Sequence, residues 1–216
     1  RSSDLDGSLR GDSVVLHAHK DDWAEYRKNI PYPLGVIQID KRNPNVISQS
    51  INGLTQKIRE LNLVGHGDHK FIPEQYLLGS IQQRQALLQG LMDTDGTIGP
   101  RKINPVTSFT SNSVSLVQGV ARLVMSLGGN VIFGRTGKKA YRIQVKLNLS
   151  VFKLFRKKQH EKFNRCNRVA IESIKSIPLE PSQCIAVDNE ERQFITDNYT
   201  RTHNTGVRGT KELGKR

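Results

Sequence analysis

Two places in this 216-residue chain bring chemistry-bearing residue types together at short spacing. The first is Asp93 and Asp95, followed by Gly96, at the end of an apolar run with helical spacing. A helix C-terminus is the negative end of the helix dipole and disfavours carboxylates. A cation relieves that, and oxygen ligands in an open site suit Mg²⁺. The same residues also fit an ordinary Asp-Gly turn after a helix. The second place is Thr202-His203-Asn204-Thr205. An Asn side-chain amide can attack its own backbone carbonyl and cleave the peptide bond as a succinimide. A neighbouring His can protonate the leaving amine. A hydroxyl on the next residue can hold an acyl group as an ester. Taken alone, this tetrad also fits a surface loop.

Charge identifies a partner class. The chain carries 33 Lys and Arg against 20 Asp and Glu, a net charge of +13. Between Arg135 and Arg168 there are twelve basic residues and one acid, Glu161, so this segment holds +11 of the total. Such one-sign density is costly without a polyanion, and DNA or RNA is the commonest one. Arg135, Lys138, Lys139, Arg142 and Lys146 are the candidate DNA contacts. Two cysteines exclude a disulfide scaffold and a four-Cys zinc site. His66 and His69 lack a supporting Cys or His cluster and read as an exposed loop. No apolar run reaches membrane-spanning length and no signal peptide opens the chain, so no membrane partner and a cytoplasmic location are expected.

These residues need elements to hold them. Ser80 to Met92 reads as a helix with a Ser80/Gln83 capping box and a stripe of Ile81, Leu87, Leu88 and Leu91. Ala86 and Gly90 lie four apart on one face, where another helix could approach closely. Val114 to Leu127 reads as a second amphipathic helix, stopped by Gly128-Gly129. Thr107 to Phe109, Val131 to Phe133 and Tyr141 to Leu147 read as strands, and Val151 to Phe155 as the start of a short helix. Ser48 to Leu61 has helical spacing in Ile51, Leu54, Ile58 and Leu61. Gln183 to Val187 and Gln193 to Thr196 suggest a hairpin around Asp188-Asn189. Residues 1–13 look loose, no internal repeat is visible, and the mixture is α+β.

Leu87-Leu88-Gln89-Gly90-Leu91-Met92-Asp93-Thr94-Asp95-Gly96 resembles the LAGLIDADG motif of homing endonucleases. Lys70 to Glu74, Thr107 to Thr110, Ser126 to Gly129 and Tyr141 to Ile143 resemble the intein-borne branch of that family. The resemblance implies a mixed helix/sheet endonuclease fold and Mg²⁺-dependent cleavage of double-stranded DNA. Two motif helices pack through their small residues, and the last acid of each binds the shared metals. That acid is Asp95 here, with Asp93 beside it. A basic strand residue often assists the metal site, and Lys146 is the candidate. Only one motif is found. Residues 14–70 resemble the end of a first endonuclease repeat whose motif lies upstream of Arg1.

Gln183 to Val187 with Phe194 to Thr196, followed by His203-Asn204, resembles the C-terminal blocks of inteins. This implies the C-terminal β-strands of a Hint (splicing) domain, with cyclisation at Asn204 and acyl transfer to Thr205. Cys184 and Thr202 occupy the positions of the class 3 branch, in which the block cysteine is the first nucleophile. That branch also has a Trp in an upstream splicing block, and Trp23, the sole Trp, lies outside such a context. Cys166 is a bystander. The expected organisation is a loose segment at 1–13, a partial endonuclease at 14–168, a partial splicing domain at 169–204 and the start of the downstream host segment, or extein, at 205–216. The first splicing blocks are expected elsewhere, in a longer chain or a separate N-terminal intein segment. The alternatives are a DNA-binding or endonuclease module without splicing, and an inactive fragment.

Overall fold

The computed structural model describes residues 5–10, 13–64, 67–99, 105–137, 140–163, 171, 173–181, 183 and 185–203. The chain divides into two units, Arg1–Asn167 and Arg168–Arg216.

The first unit opens with β1 (Leu5–Arg10) and β2 (Ser13–His19), then α1 (Lys20–Arg27), β3 (Gln38–Ile39), β4 (Val46–Ile51) and α2 (Thr55–Glu60). A short helix α3 (Glu74–Leu77) leads to the long α4 (Ile81–Asp95). Then come β5 (Gly96–Ile98), β6 (Thr107–Ser111), α5 (Val114–Ser126), β7 (Asn130–Thr136), β8 (Ala140–Lys146) and α6 (Phe155–Lys158). The two antiparallel sheets have the orders β1-β2-β4-β3 and β5-β6-β8-β7. Both halves therefore run strand, strand, helix, strand, strand, helix with the same sheet order. An internal repeat exists in topology where none was visible in sequence.

Several expectations change. Leu5 to Arg10 is not loose: it pairs residue by residue with Ser13 to Ala18. Ser48 to Leu61 is not one helix. Val46–Ile51 pairs with β2 and lies inside the sheet, and Gly53, at φ 79°, turns the chain before α2. Long-range pairing overrides the local helical spacing. Val151, Phe152 and Leu154 are buried in extended backbone, and the helix starts only at Phe155. In the second unit, β9 (Gln193–Ile195) pairs with β10 (Arg201–His203) rather than with residues upstream. Asn189 does make a turn, since its side chain brackets the Gln193 backbone with bonds of 2.6 and 2.9 Å. The described residues among 183–187 form no strand.

The predicted capping box forms, and α5 has a cap that the sequence reading did not name. Ser80 and Gln83 make the capping box of α4, and Ser113 caps α5 by accepting from the Leu116 amide at 3.1 Å. Gly128, at φ 83°, ends α5. The main core joins Leu88 and Met92 of α4, Phe109, Val120, Leu123 and Val124, Ile143 and Phe152, all fully buried. Ile81, expected in the stripe of α4, is exposed, and Met92 takes the deep position instead. Trp23 is a core residue of the first half, packed with Ala18. Among the described residues no helix is long and apolar enough to cross a membrane.

Candidate nuclease site at the end of helix α4

The end of α4 decides which aspartate can do chemistry. Asp93 is 2% exposed. Both of its oxygens accept the backbone N–H groups of Lys153 and Leu154, at 3.2–3.3 Å. Burial pushes its carboxyl up to about 6, against the lowering effect of those amides and of Lys157. Asp93 therefore anchors the 153–154 backbone. Asp95 is half-buried one step further along.

A glycine just past a helix, as Gly96 is, commonly turns the chain away in a left-handed conformation. Its backbone is extended instead, at φ −82° and ψ 146°. The glycine is needed for space: a Cβ there would lie 2.4 Å from the Met92 carbonyl oxygen.

The segment that meets this helix end is residues 153–157, and each residue makes a bond. The amides of 153 and 154 go to Asp93. The Phe155 amide donates to Glu25 at 3.2 Å. The Arg156 guanidinium donates to both oxygens of buried Asp22, at 2.9 and 2.7 Å. The Lys157 ammonium donates to the carbonyls of Met92 (3.1 Å), Asp93 (2.7 Å) and Gly96 (2.8 Å). Burial first, and Arg156 second, push the Lys157 amine down to about 8, while Asp93, Asp22 and Asp95 oppose the shift. Tyr26 of α1 lies in the same cluster. Burial and the Asp93 and Asp22 carboxylates hold its phenol far above the usual range, and its hydroxyl is buried without a hydrogen-bond partner among the described residues. Asp22, Glu25, Tyr26 and Lys157 gave no sequence signal, because only the fold brings α1 to α4.

The second sheet has two unlike faces. Phe109, Ile143 and Val145 pack into the core with α4 and α5. The register places Thr97, Ser108 and Gln144 side by side on the opposite face, with Thr110 beside Arg142 and with Lys146 at the strand end. Arg142 donates to Ser108 at 2.9 Å, and Ser108 shares a 2.9 Å bond with Thr97. The first sheet carries a similar polar row, with Ser8, His17 and Ser48 linked at 3.0 and 2.7 Å.

Of the expected DNA contacts, Arg142 and Lys146 share the polar face. Arg135 does not: it pairs with Tyr141 on the helix side and lies over that ring at 5.5 Å. Lys138 and Lys139 lie outside the described residues. The basic segment is thus not one surface, since Arg156 and Lys157 are spent internally. Its single acid, Glu161, accepts the Val151 amide at 2.7 Å and the Ser150 hydroxyl at 2.6 Å. His69 is an exposed loop residue, and His66 lies outside the described residues. In the second unit, Thr202 and His203 sit on β10, opposite Phe194 and Gln193. Cys184, Asn204, Thr205 and Cys166 lie outside the described residues.

Among the described residues no three His, Cys, Asp or Glu side chains gather as a metal cage. Asp95 is the other carboxylate at this helix end, and it is half-buried. It fits as one ligand of an open Mg²⁺ site completed by water, phosphate or a second motif.

A curated relative, the replicative DNA helicase DnaB of Mycobacterium intracellulare, is 27% identical over 206 residues, covering 81% of this chain and 35% of its own. The chain thus spans about a third of that relative's length. Similar solved structures include I-DmoI in complex with DNA and Mn, at 12% identity and a TM-score of 0.43, covering 65% of this chain and 80% of that one. I-DmoI in complex with DNA and Ca is 15% identical, with a TM-score of 0.41, covering 66% and 75%. Residues 82–163 match the family model described as LAGLIDADG-like domain.

Proposed function

We propose that the chain is an intein-borne, Mg²⁺-dependent DNA endonuclease joined to the C-terminal half of a protein-splicing site. The observation that carries the nuclease reading is the division of labour at the end of α4. Asp93 is bound by the 153–154 amides, and Asp95 is half-buried as the last residue of α4. Asp95 would hold Mg²⁺ together with water and DNA phosphate. Bound Mg²⁺ would activate water and stabilise the leaving oxygen in phosphodiester hydrolysis. Arg142, Lys146 and the polar sheet row would contact the duplex, and Lys146 is the candidate basic assistant. Exposed Ala86 and Gly90, on the outer side of α4, would receive a second motif helix. That helix would come from an upstream repeat, which the repeated topology of residues 5–60 favours, or from a second copy.

The splicing reading rests on sequence order. Cys184 would attack the upstream junction carbonyl and hold the upstream segment as a thioester. The acyl group would pass to Thr205, and Asn204 would cyclise with His203 as proton donor and Thr202 beside it. The helicase relative supports an element lodged in a larger host, because its resemblance to this chain occupies only about a third of its length. The host exteins would then be the covalent partners, in a cytoplasmic setting.

One experiment with two readouts tests this. The chain, alone and extended by its upstream genomic sequence, is incubated with Mg²⁺ and DNA from an uninterrupted host gene. Cleavage by the extended form, lost in Asp95→Asn with DNA binding retained, is the expected nuclease result. Equal cleavage by Asp95→Asn would refute it. Mass spectrometry of the same samples should show loss of Thr205 to Arg216, blocked in Asn204→Ala. Retention of this tail in the extended form would leave an endonuclease module without splicing.

A further inference from the structure

The carbonyls of the last turn of a helix lack intrahelical partners, and a left-handed glycine cap usually serves them. Helix α4 ends without that cap, because Gly96 is extended, although its amide still donates to the Met92 carbonyl. One side chain from elsewhere in the fold adds the further donors. The three protons of the Lys157 ammonium meet three carbonyl oxygens, those of Met92, Asp93 and Gly96. These carbonyls bracket Asp95 on both sides. A cation there also offsets the placement of two carboxylates at the negative end of the dipole. Phe152 supports the ammonium, its ring centroid 5.4 Å away. The lysine is itself held, because the preceding residues are bonded to Asp93, Glu25 and Asp22.

We propose that Lys157 is a positioning residue for Asp95: its three-point grip on the Met92, Asp93 and Gly96 carbonyls fixes the direction in which the Asp95 carboxylate leaves the helix. The proposal rests on the reading of Asp95 as a metal ligand. It departs from the expectation that a strand residue, Lys146, is the lysine on which the metal site depends. Lys157 does not touch metal or substrate in this arrangement. It acts through the peptide groups on either side of the ligand.

The test uses the 216-residue chain and Mn²⁺ alone as the probe, read by paramagnetic broadening of backbone amide NMR signals, with amide hydrogen exchange as a second readout. In Lys157→Met, Mn²⁺ affinity at Asp95 should fall about tenfold and the Gly96 amide should exchange about tenfold faster, at the scale of one lost charged hydrogen-bond set. Core amides of α5 should be unchanged, which a general loss of stability would not allow. Lys157→Arg keeps the charge but cannot present three protons from one nitrogen, and it should fall between the two. Wild-type values of both readouts in a folded Lys157→Met would overturn the proposal. If that variant does not fold, Lys157→Arg decides, and wild-type affinity and exchange there would overturn it. Asp95→Asn separates the two readings. Unchanged Mn²⁺ binding in Asp95→Asn removes the metal role of Asp95, and Gly96 exchange then still judges the grip.

Discussion

The buried carboxylate of Asp93 makes stability depend on pH in a direction opposite to that of an ordinary paired aspartate. Its carboxyl is raised from 3.8 to about 6 in the folded protein. Between these values the folded state binds more protons than the unfolded state, so stability falls as pH rises. Below 3.8 both states are protonated and the contribution is fully present; above about 6 it is lost. At roughly 1.4 kcal/mol per pH unit, the whole change is about 3 kcal/mol. Little solvent screening reduces this, since the residue is 2% exposed. Lys157 contributes in a higher window. Its amine is lowered from 10.5 to about 8, so stability rises as pH climbs through that range. The pair therefore predicts a stability minimum between about pH 6 and 8. The assay is urea unfolding at pH steps from 4 to 10, followed by the fluorescence of buried Trp23. Asp93→Asn should flatten the acidic limb and leave the alkaline limb in place. An acidic limb that rises with pH, or one unchanged in Asp93→Asn, would refute the reasoning.

Two further outcomes are expected. Tyr26→Phe removes a buried hydroxyl that has no hydrogen-bond partner among the described residues, so stability should hold or rise by about 1 kcal/mol; a fall of that size on thermal unfolding would reveal a partner. Lys146→Ala should lower the slope of log DNA affinity against log salt by about 0.9, while Arg135→Ala, on the helix side of the sheet, should leave it unchanged in a filter-binding titration.

Local signals survived into the structure and non-local ones did not. The Ser80/Gln83 box and the Gly128 stop are short-range signals, and each appears where the sequence places it. The alternation of Ile143 and Val145 with Arg142, Gln144 and Lys146 likewise gave the two faces of β8. β1 was missed because Leu5 to Arg10 is rich in small polar residues, and only pairing with β2 makes it a strand. β4 was missed because its sheet partners are far away in sequence. The topological repeat was invisible for the same reason: strand order carries it, and residue identity does not.

Charge shows most clearly how composition and placement differ. The segment from Arg135 to Arg168 reads as a single basic surface, yet the fold uses its members for different tasks. Arg142 and Lys146 lie on the sheet face opposite the core beside neutral hydroxyls and amides, Lys146 exposed and Arg142 half-buried with its Nε out of solvent. Arg156 and Lys157 turn inward and meet acids and carbonyls that the sequence holds more than sixty positions away. That inward use follows from the motif itself. A helix that ends in Asp93 and Asp95 concentrates negative charge where its own dipole is already negative. A buried carboxylate of this kind needs donors, and a helix end without a glycine cap needs them too. The 153–157 segment meets both needs at once, with two amides for Asp93 and one ammonium for three carbonyls. The charges nearest the proposed metal site are therefore part of the scaffold around Asp95, and the charge proposed to meet DNA lies one sheet face away.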